Sequence, residues 1–210
     1  MPDLAHCTTP GDFDEFARAT LRRFDGVNEA STTQFACRAG CSLCCSLRVD
    51  VFAHDVFHLA RHIRAQFSPG DLAALLARLA AHAEKVRTLT PYAHATQNIP
   101  CPMLREGCCS VYVARPHSCR RHHSRDFAAC QYTYDHPTDI DTPAAHDRPL
   151  YLALSAAMQA DIETYAGQGF DYTIYELGTA LYEALTDPEC WPRWRRGEAA
   201  FRQASITPSE

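Results

Sequence analysis

The sequence predicts a mainly α-helical domain with a small β-hairpin and cysteine-rich loops. Apolar residues recur at helical spacing early in the chain and again in its last third, whereas the alternation typical of strands is confined to short stretches beside cysteines. The chain has 210 residues, 46% of them hydrophobic, which is enough to bury a sizeable core. We expect a disordered N-terminus over residues 1–10 and a single domain over residues 11–205, with a cysteine-rich core over residues 35–130 and C-terminal helices over residues 148–203.

Two amphipathic helices are predicted before the middle of the chain. The first begins at Asp12 and ends at Gly26, because apolar residues at helical spacing fill the stretch between them. A short alternating stretch over residues 47–51 is compatible with a strand. Aspartate is a common N-cap residue, so Asp55 is predicted to begin a helix. The apolar face of this helix is expected to extend to Phe67.

The third helix has the clearest start signal in the sequence. Ser68 is a favourable N-cap, Pro69 suits the first helical turn, and Asp71 places negative charge near the positive end of the helix dipole. The helix is expected to end near Leu89 and to be followed by a loop over residues 90–100.

The hairpin is predicted over residues 101–113, with a turn at residues 105–107. Pro116 ends the second strand, since proline restricts the residue before it to extended conformations. Proline also suits the first turn of a helix, which would place Cys119 close to a helix N-terminus. The polar residues 124–147 are expected to form a loop.

The last third of the chain returns to helical spacing. Apolar stripes over residues 150–165 and 174–185 predict two helices, and the sequence Asp187-Pro188 is expected to begin a shorter helix that ends near Phe201.

Cysteines are concentrated in two stretches. The chain has eleven. A first cysteine cluster contains Cys37, Cys41, Cys44 and Cys45, and a second cysteine cluster contains Cys101, Cys108, Cys109, Cys119 and Cys130. The first residues lack the basic and apolar segments of an export signal, so we expect a cytoplasmic protein, in which closely spaced cysteines indicate metal or redox chemistry rather than disulfides. A net charge of −5 argues against general nucleic-acid binding, and no apolar stretch approaches the length of a membrane span.

The spacing of the first cysteine cluster suits metal ligation. In a C-x2-C sequence such as that of Cys41 and Cys44, two sulfurs from one tight loop can reach the same zinc ion or iron–sulfur cluster. Cys44 and Cys45 are adjacent and point in different directions, so either they serve different sites or one of them binds no metal. The alternative is a buried helical stripe of free cysteines. Cys7 and Cys190 lie outside both clusters and are expected to bind no metal.

Arginine and histidine surround the second cysteine cluster. Arg115 and Arg120 are expected to lie beside the sulfurs, where guanidinium groups would offset thiolate charge and donate hydrogen bonds. An anion-binding site and a solvated surface are the alternatives. The three histidines His117, His122 and His123 flank Cys119, and each could replace a cysteine as ligand or pair with Cys119 as a catalytic dyad. The favoured interpretation is that they lie at the surface or support the ligands without binding metal themselves.

Together these motifs resemble a bacterial cysteine-cluster family described as zinc- or iron-chelating proteins. The matching residues are Cys37, Cys41, Cys44 and Cys45, then Cys101-Pro102-Met103-Leu104, Cys109-Ser110-Val111-Tyr112, Arg115-Pro116 and Cys119-Arg120. Cys130 is a further candidate cysteine, and Cys109 fits the motif better than Cys108. The resemblance implies metal ligation by Cys37, Cys41, Cys44, Cys45, Cys101, Cys109, Cys119 and Cys130.

Two families of enzymes share parts of this pattern. A related module occurs in flagellin lysine methylases, where an iron–sulfur cluster is implied in methyl transfer. The spacing of Cys37, Cys41 and Cys44 is also that of radical S-adenosylmethionine enzymes, whose partial barrel requires βα units that this sequence lacks. From the likeness to radical S-adenosylmethionine enzymes we keep only the possibility that three cysteines bind the metal.

The sequence thus indicates a metal-binding protein in which two cysteine clusters hold an iron–sulfur cluster or zinc. The iron–sulfur cluster is favoured, because three close cysteines with a remote fourth are common cluster ligands. A cluster-dependent methyl or group transferase and a metal carrier or redox sensor are the alternatives. A metal ion or cluster is the only partner that the residues indicate.

Overall fold

Helices make up most of the structure, a computed structural model that describes residues 10–38, 40–142 and 144–206. Its α-helices are α1 (Pro10–Glu29), α2 (Ala53–Gln66), α3 (Pro69–Arg87), α4 (Pro91–Ala95), α5 (His117–Arg121), α6 (Phe127–Asp135), α7 (Arg148–Gly167), α8 (Leu177–Thr186) and α9 (Cys190–Arg195). Its strands are β1 (Asp50–Val51), β2 (Leu104–Arg105), β3 (Cys108–Cys109) and β4 (Tyr175–Glu176). Single 3-10 turns lie at Leu43–Ser46 and Tyr112–Ala114. The predicted mainly α fold with a small hairpin and cysteine-rich loops is confirmed.

The main hydrophobic core lies where α8 packs against α2 and α3. Five aliphatic side chains in it have no exposed surface: Leu59 and Ile63 on α2, Leu75 and Leu79 on α3, and Leu181 on α8. Burying such a side chain contributes roughly 1.5–3 kcal/mol relative to leaving it in water. Three cysteines of the second cysteine cluster, Cys101, Cys109 and Cys119, pack against the edge of this core. The core therefore fixes the position of that cluster.

A smaller apolar cluster joins α1 to α7. Phe24, Leu150 and Leu154 are its buried members, and Val27 packs against them. This contact explains why α1 continues to Glu29, although Gly26 was predicted to end it. Glycine costs about 1 kcal/mol in a helix interior, and burial of the apolar side chains on either side of it offsets that cost.

A sheet of two short strands connects distant parts of the chain. β1 pairs antiparallel with β4, with Val51 opposite Tyr175. The strand predicted over residues 47–51 is thus present in part, but its partner lies in a stretch predicted to be helical. α8 starts only at Leu177, because the Glu176 side chain caps that helix and the backbone before it pairs with β1.

Local capping accounts for the other boundaries. The predicted start of α3 is confirmed, since the Ser68 side chain accepts a hydrogen bond from the amide of Asp71. Asp55, by contrast, does not cap α2; Phe52 occupies the cap position, and Asp55 lies buried in the first turn. The stretch predicted as the loop 90–100 contains α4, capped by Thr90, and the stretch 124–147 contains α6, capped by Asp126.

The termini of the predicted elements differ in two further places. Of the N-terminus predicted to be disordered, residues 1–9 lie outside the described residues, and Pro10 is the first residue of α1. The helix predicted to follow Asp187 starts at Cys190 and ends at Arg195. Among the described residues, no helix is both long enough and apolar enough to cross a membrane.

Candidate metal centre

Backbone hydrogen bonds hold the two cysteine clusters side by side. The Cys101 amide donates to the Cys45 carbonyl oxygen over 2.8 Å, and the Ile99 amide donates to the Ser46 carbonyl oxygen over 3.0 Å. The segment before the hairpin therefore runs along the 3-10 turn Leu43–Ser46. On the other side, α6, which carries Cys130, packs against the same turn.

The hairpin decides which of two adjacent cysteines faces inward. Glu106 and Gly107 form its turn with positive φ angles of 51° and 76°, the left-handed conformation of a tight two-residue turn. Successive strand residues point to opposite faces. Cys109 accordingly packs against the core, whereas Cys108 is exposed.

Four thiols form what we call the inner thiol group: Cys44, Cys101, Cys109 and Cys119. The pKa of Cys101 is raised to about 12, chiefly by burial and also by the negative charges that Cys109 and Cys44 would carry. Burial also raises the pKa of Cys119, again with contributions from the other three. The four sulfurs are thus close enough that each thiolate would repel the others.

An outer thiol group contains Cys37, Cys41 and Cys130. The pKa of Cys130 is raised by burial, and charges on Cys37, Cys44 and Cys41 raise it as well. Cys44 therefore lies within electrostatic reach of both groups. Its own pKa is raised chiefly by a hydrogen bond with the Cys45 side chain and then by burial.

This donor set has the chemistry of a thiolate metal site. All ten cysteines among the described residues are free, so their sulfurs are available to a metal. Without a cation the inner thiols hold their protons at neutral pH, because burial and mutual repulsion disfavour the thiolates. A bound cation would remove both penalties, and proton release on binding is characteristic of cysteine metal sites. The sulfurs are not drawn tightly together: within the part of the chain described, no three cysteine sulfurs lie within 4.8 Å of one another.

The two candidate arginines have different environments. The Arg115 guanidinium lies 4.0 Å from the centre of the Tyr112 ring, and its charge lowers the pKa of both Cys44 and Cys109. The Arg120 guanidinium instead binds the Asp25 carboxylate at 2.6 and 2.7 Å. It also donates to the carbonyl oxygens of residues 113 and 115. Arg115 thus faces the sulfurs, whereas Arg120 holds the chain that leads to α5.

The histidines near Cys119 make contacts of their own. His117 is buried, and its Nδ1 lies 2.7 Å from Oδ1 of Asp55. His122 is half-buried, and desolvation lowers its pKa to about 4. His123 packs against Phe35. The structure therefore turns His117 towards a carboxylate on α2.

Two groups of nitrogen and oxygen donors were not predicted from the sequence. In each, three buried side chains place their ligand atoms within 4.8 Å of one another: His54, Asp55 and His117 in one, and His82, His94 and Glu176 in the other. The second group borders a cavity of about 500 Å³, but its carboxylate already accepts four hydrogen bonds. Only the adjacency of His54 and Asp55 was visible in the sequence, since the other members come from distant segments.

Comparison with known proteins gives a match, and it covers the segment that contains the two cysteine clusters. Residues 36–138 match the sequence model of the CxxCxxCC family, described as a putative zinc- or iron-chelating domain. No curated protein and no solved structure matches the chain. The matched segment contains both cysteine clusters and ends just after α6. The chain therefore contains a segment that is similar to the CxxCxxCC domain, described as putative zinc- or iron-chelating.

Proposed function

We propose that the protein binds an iron–sulfur cluster, or alternatively zinc, through its two cysteine clusters. The proposed ligands are Cys37, Cys41, Cys44, Cys45, Cys101, Cys109, Cys119 and Cys130. The observation that carries the proposal is the inner thiol group, in which cysteines from four separate segments gather at the edge of the core. The match of residues 36–138 to a domain described as putative zinc- or iron-chelating supports metal binding in general.

The two thiol groups would provide two four-ligand sites that lie side by side. The inner thiol group supplies four sulfurs, the number that both tetrahedral zinc and a cubane cluster require. The outer thiol group together with Cys45 supplies four more. Cys44 and Cys45 are adjacent, and their divergent side chains allow one residue to serve each group.

The surrounding residues would balance the charge of this centre. A bound iron–sulfur cluster supplies one-electron chemistry. Four thiolates leave negative charge on a bound cation or cluster, and the Arg115 guanidinium faces them. Apolar core residues behind Cys101 and Cys119 exclude water from one side. We propose the cytoplasm as its compartment, where free thiols persist.

Elemental analysis combined with an absorption spectrum tests the proposal. The protein is purified without oxygen, and iron, zinc and acid-labile sulfide are measured per chain. We expect iron and sulfide in equal amounts and broad visible absorption. Zinc alone in a colourless protein would establish the alternative, and neither metal in a folded protein would refute the proposal.

Two matched serine variants test the ligand assignment. Cys41→Ser removes a proposed ligand, and we expect it to lose metal. Cys108→Ser changes an exposed cysteine outside the proposed set and should retain the metal content of the natural protein. Equal metal loss in both variants would contradict the assignment.

A role as metal carrier or redox sensor is the second candidate function. Cys37 is exposed although it lies in the outer thiol group, and an exposed thiolate can exchange metal or be oxidised. In a carrier, a modest chelator would remove metal from the outer thiol group within minutes. A closed structural centre would keep it.

A further inference from the structure

Four buried side chains from three helices converge on one point behind the cysteine centre. His54 and Asp55 lie in the first turn of α2, His117 begins α5, and Asp161 belongs to α7. None of the four has more than 4% of its surface exposed. Buried charged and polar groups at such a density require partners.

Three atoms of this set have no hydrogen-bond partner among the described residues: Nε2 of His54, Oδ2 of Asp55 and Nε2 of His117. Leaving one such buried atom unsatisfied costs about 1–3 kcal/mol. The atoms also face one another: Nε2 of His54 lies 3.9 Å from Oδ2 of Asp55. Three unsatisfied atoms around one point indicate a missing partner there.

The hydrogen bonds of His117 fix which atom it presents to that point. Its Nδ1 lies 2.7 Å from Oδ1 of Asp55, which also accepts the His117 backbone amide over 3.2 Å. A neutral imidazole that donates from Nδ1 carries a lone pair on Nε2. Carboxylates commonly orient metal-binding histidines in this way.

Asp161 lies next to His117 and is the fourth member of the set. Its Oδ2 lies 3.6 Å from Nε2 of His117, too far for a hydrogen bond between them. Its Oδ1 accepts from Arg23 over 2.6 Å. Two carboxylates and one arginine leave a net negative charge, which a divalent cation would neutralise.

We propose that His54, Asp55, His117 and Asp161 form a second metal site, distinct from the cysteine centre, for one divalent cation. Two imidazole nitrogens and two carboxylate oxygens suit zinc, iron(II) or manganese(II) rather than a metal that requires thiolates. Ligand atoms around such an ion lie roughly 3–3.5 Å apart when each metal–ligand distance is about 2.0–2.2 Å. The ligand atoms of His54, Asp55 and His117, which lie within 4.8 Å of one another, would move inward to reach this spacing, and Asp161 would join them from beside Nε2 of His117.

Cobalt(II) distinguishes the two kinds of site. Thiolate-bound cobalt has intense near-ultraviolet charge-transfer bands, whereas cobalt bound by nitrogen and oxygen has only weak visible bands. Because the proposed ligands are buried, the ion must be present as the chain folds, and the protein is therefore produced in cobalt-supplemented medium. We expect the natural protein to contain one more cobalt ion per chain than the thiolate bands account for.

His54→Phe is the critical variant. His54 stacks on Tyr165 with ring centres 4.4 Å apart, and phenylalanine preserves this packing while it removes the nitrogen. We expect the variant to lose one cobalt ion per chain with unchanged thiolate bands. His62→Phe, in the same helix but outside the set, is the matched control and should keep the ion.

The outcomes separate this proposal from that of the cysteine centre. If thiolate bands, iron and acid-labile sulfide were all absent from a protein that still contains nitrogen- and oxygen-bound cobalt, only the cysteine proposal would be refuted. If His54→Phe kept all its cobalt, or if the natural protein held none beyond the thiolate-bound ions, a buried water molecule would be the missing partner and the second site would be refuted. Should His54→Phe fail to fold, Asp161→Asn, for which the same loss is expected, replaces it.

Discussion

The backbone amide of Cys101 donates a hydrogen bond to the carbonyl oxygen of Cys45 across 2.8 Å. These residues are far apart in the sequence and belong to different cysteine clusters. Because the bond is between backbone atoms, it holds the clusters together whatever the state of the thiols. The side chains beyond it separate into an inner and an outer thiol group with different neighbours.

This separation predicts that the two groups lose metal independently. Cys101→Ser removes a sulfur that is coupled to Cys109 and Cys44, whereas Cys130→Ser removes one that is coupled to Cys37 and Cys41. We expect each variant to lose part of the metal and the double variant to lose all of it. The amount of metal bound per folded chain in each variant tests this prediction. If either single variant lost everything, the two groups would form one indivisible site.

Substitution of Arg115 should change the rate of metal loss, whereas substitution of Arg120 should change the stability of the fold. Arg115→Gln removes a charge that faces the sulfurs, so metal should be lost to a chelator several times faster, with little change in thermal stability. Arg120→Lys cannot reproduce the bonds that three guanidinium nitrogens make to Asp25 and to the carbonyl oxygens of residues 113 and 115, and it should lower stability by on the order of 2 kcal/mol. Chelator kinetics and denaturant unfolding of both variants test this. The reverse pattern would show that Arg120 serves the metal.

Two glycine substitutions should change stability in opposite directions. Gly26→Ala lies inside α1 with no atom within 4 Å of the added carbon, so it should stabilise the fold by about 0.5–1 kcal/mol. Gly107→Ala forces alanine into the left-handed conformation at φ +76° and should destabilise it by about 1 kcal/mol. Thermal unfolding at constant metal content measures both. Stabilisation by Gly107→Ala would contradict the hairpin turn described.

Glu176 should make stability depend on pH in the acid range. Burial opposes its ionisation, but hydrogen bonds from His82 and Thr179 hold its pKa at about 2, below the ordinary glutamate value of 4.5. The stabilisation is therefore complete above the unfolded pKa and is lost as pH falls towards 2. Glu176→Gln should lose on the order of 2 kcal/mol at pH 7 and progressively less between pH 4.5 and 2.

Unfolding free energies of both proteins across this range provide the measurement. Comparing the two proteins at each pH cancels acid effects on the cysteines that they share. A stability difference that stayed constant down to pH 2 would show that the glutamate charge plays no part.

Metal removal should loosen the cysteine segments before the helical core. The described residues of 36–46 bury no apolar side chain, and those of 99–114 bury Ile99, Met103, Val111 and Ala114, whereas α2, α3 and α8 form most of the main core. We expect chelation to accelerate amide hydrogen exchange in the former while the three helices stay protected. Uniform acceleration throughout the chain would show that metal binding and core folding are inseparable.

Local signals explain what could be predicted from the sequence. The start of α3 is defined by Ser68 and its neighbours, and the hairpin by its turn, so both were found. Asp55 was misread as a cap because its partner, His117, lies 62 residues away. Glu176 was placed inside a helix for a similar reason, since β1 and His82, 94 residues before it, determine its position.

The candidate metal site was likewise predictable only where the signal lies in neighbouring residues. Cysteine spacing indicated the first cysteine cluster, and the motif favoured Cys109, which faces the core. The donor group around His117 could not be predicted, because its members come from three helices whose packing depends on apolar contacts throughout the chain. The role of Arg120 also depends on Asp25, 95 residues earlier.

The pairing of β1 with β4 has a consequence for how the protein is dissected. The segment that matches the family ends at residue 138, yet β1 inside it is completed by a strand from beyond that point, and α8 covers the apolar faces of α2 and α3. A fragment cut at the limits of the matched segment would expose these faces and aggregate. The segment recognised by similarity is therefore smaller than the part of the chain that shares one hydrophobic core.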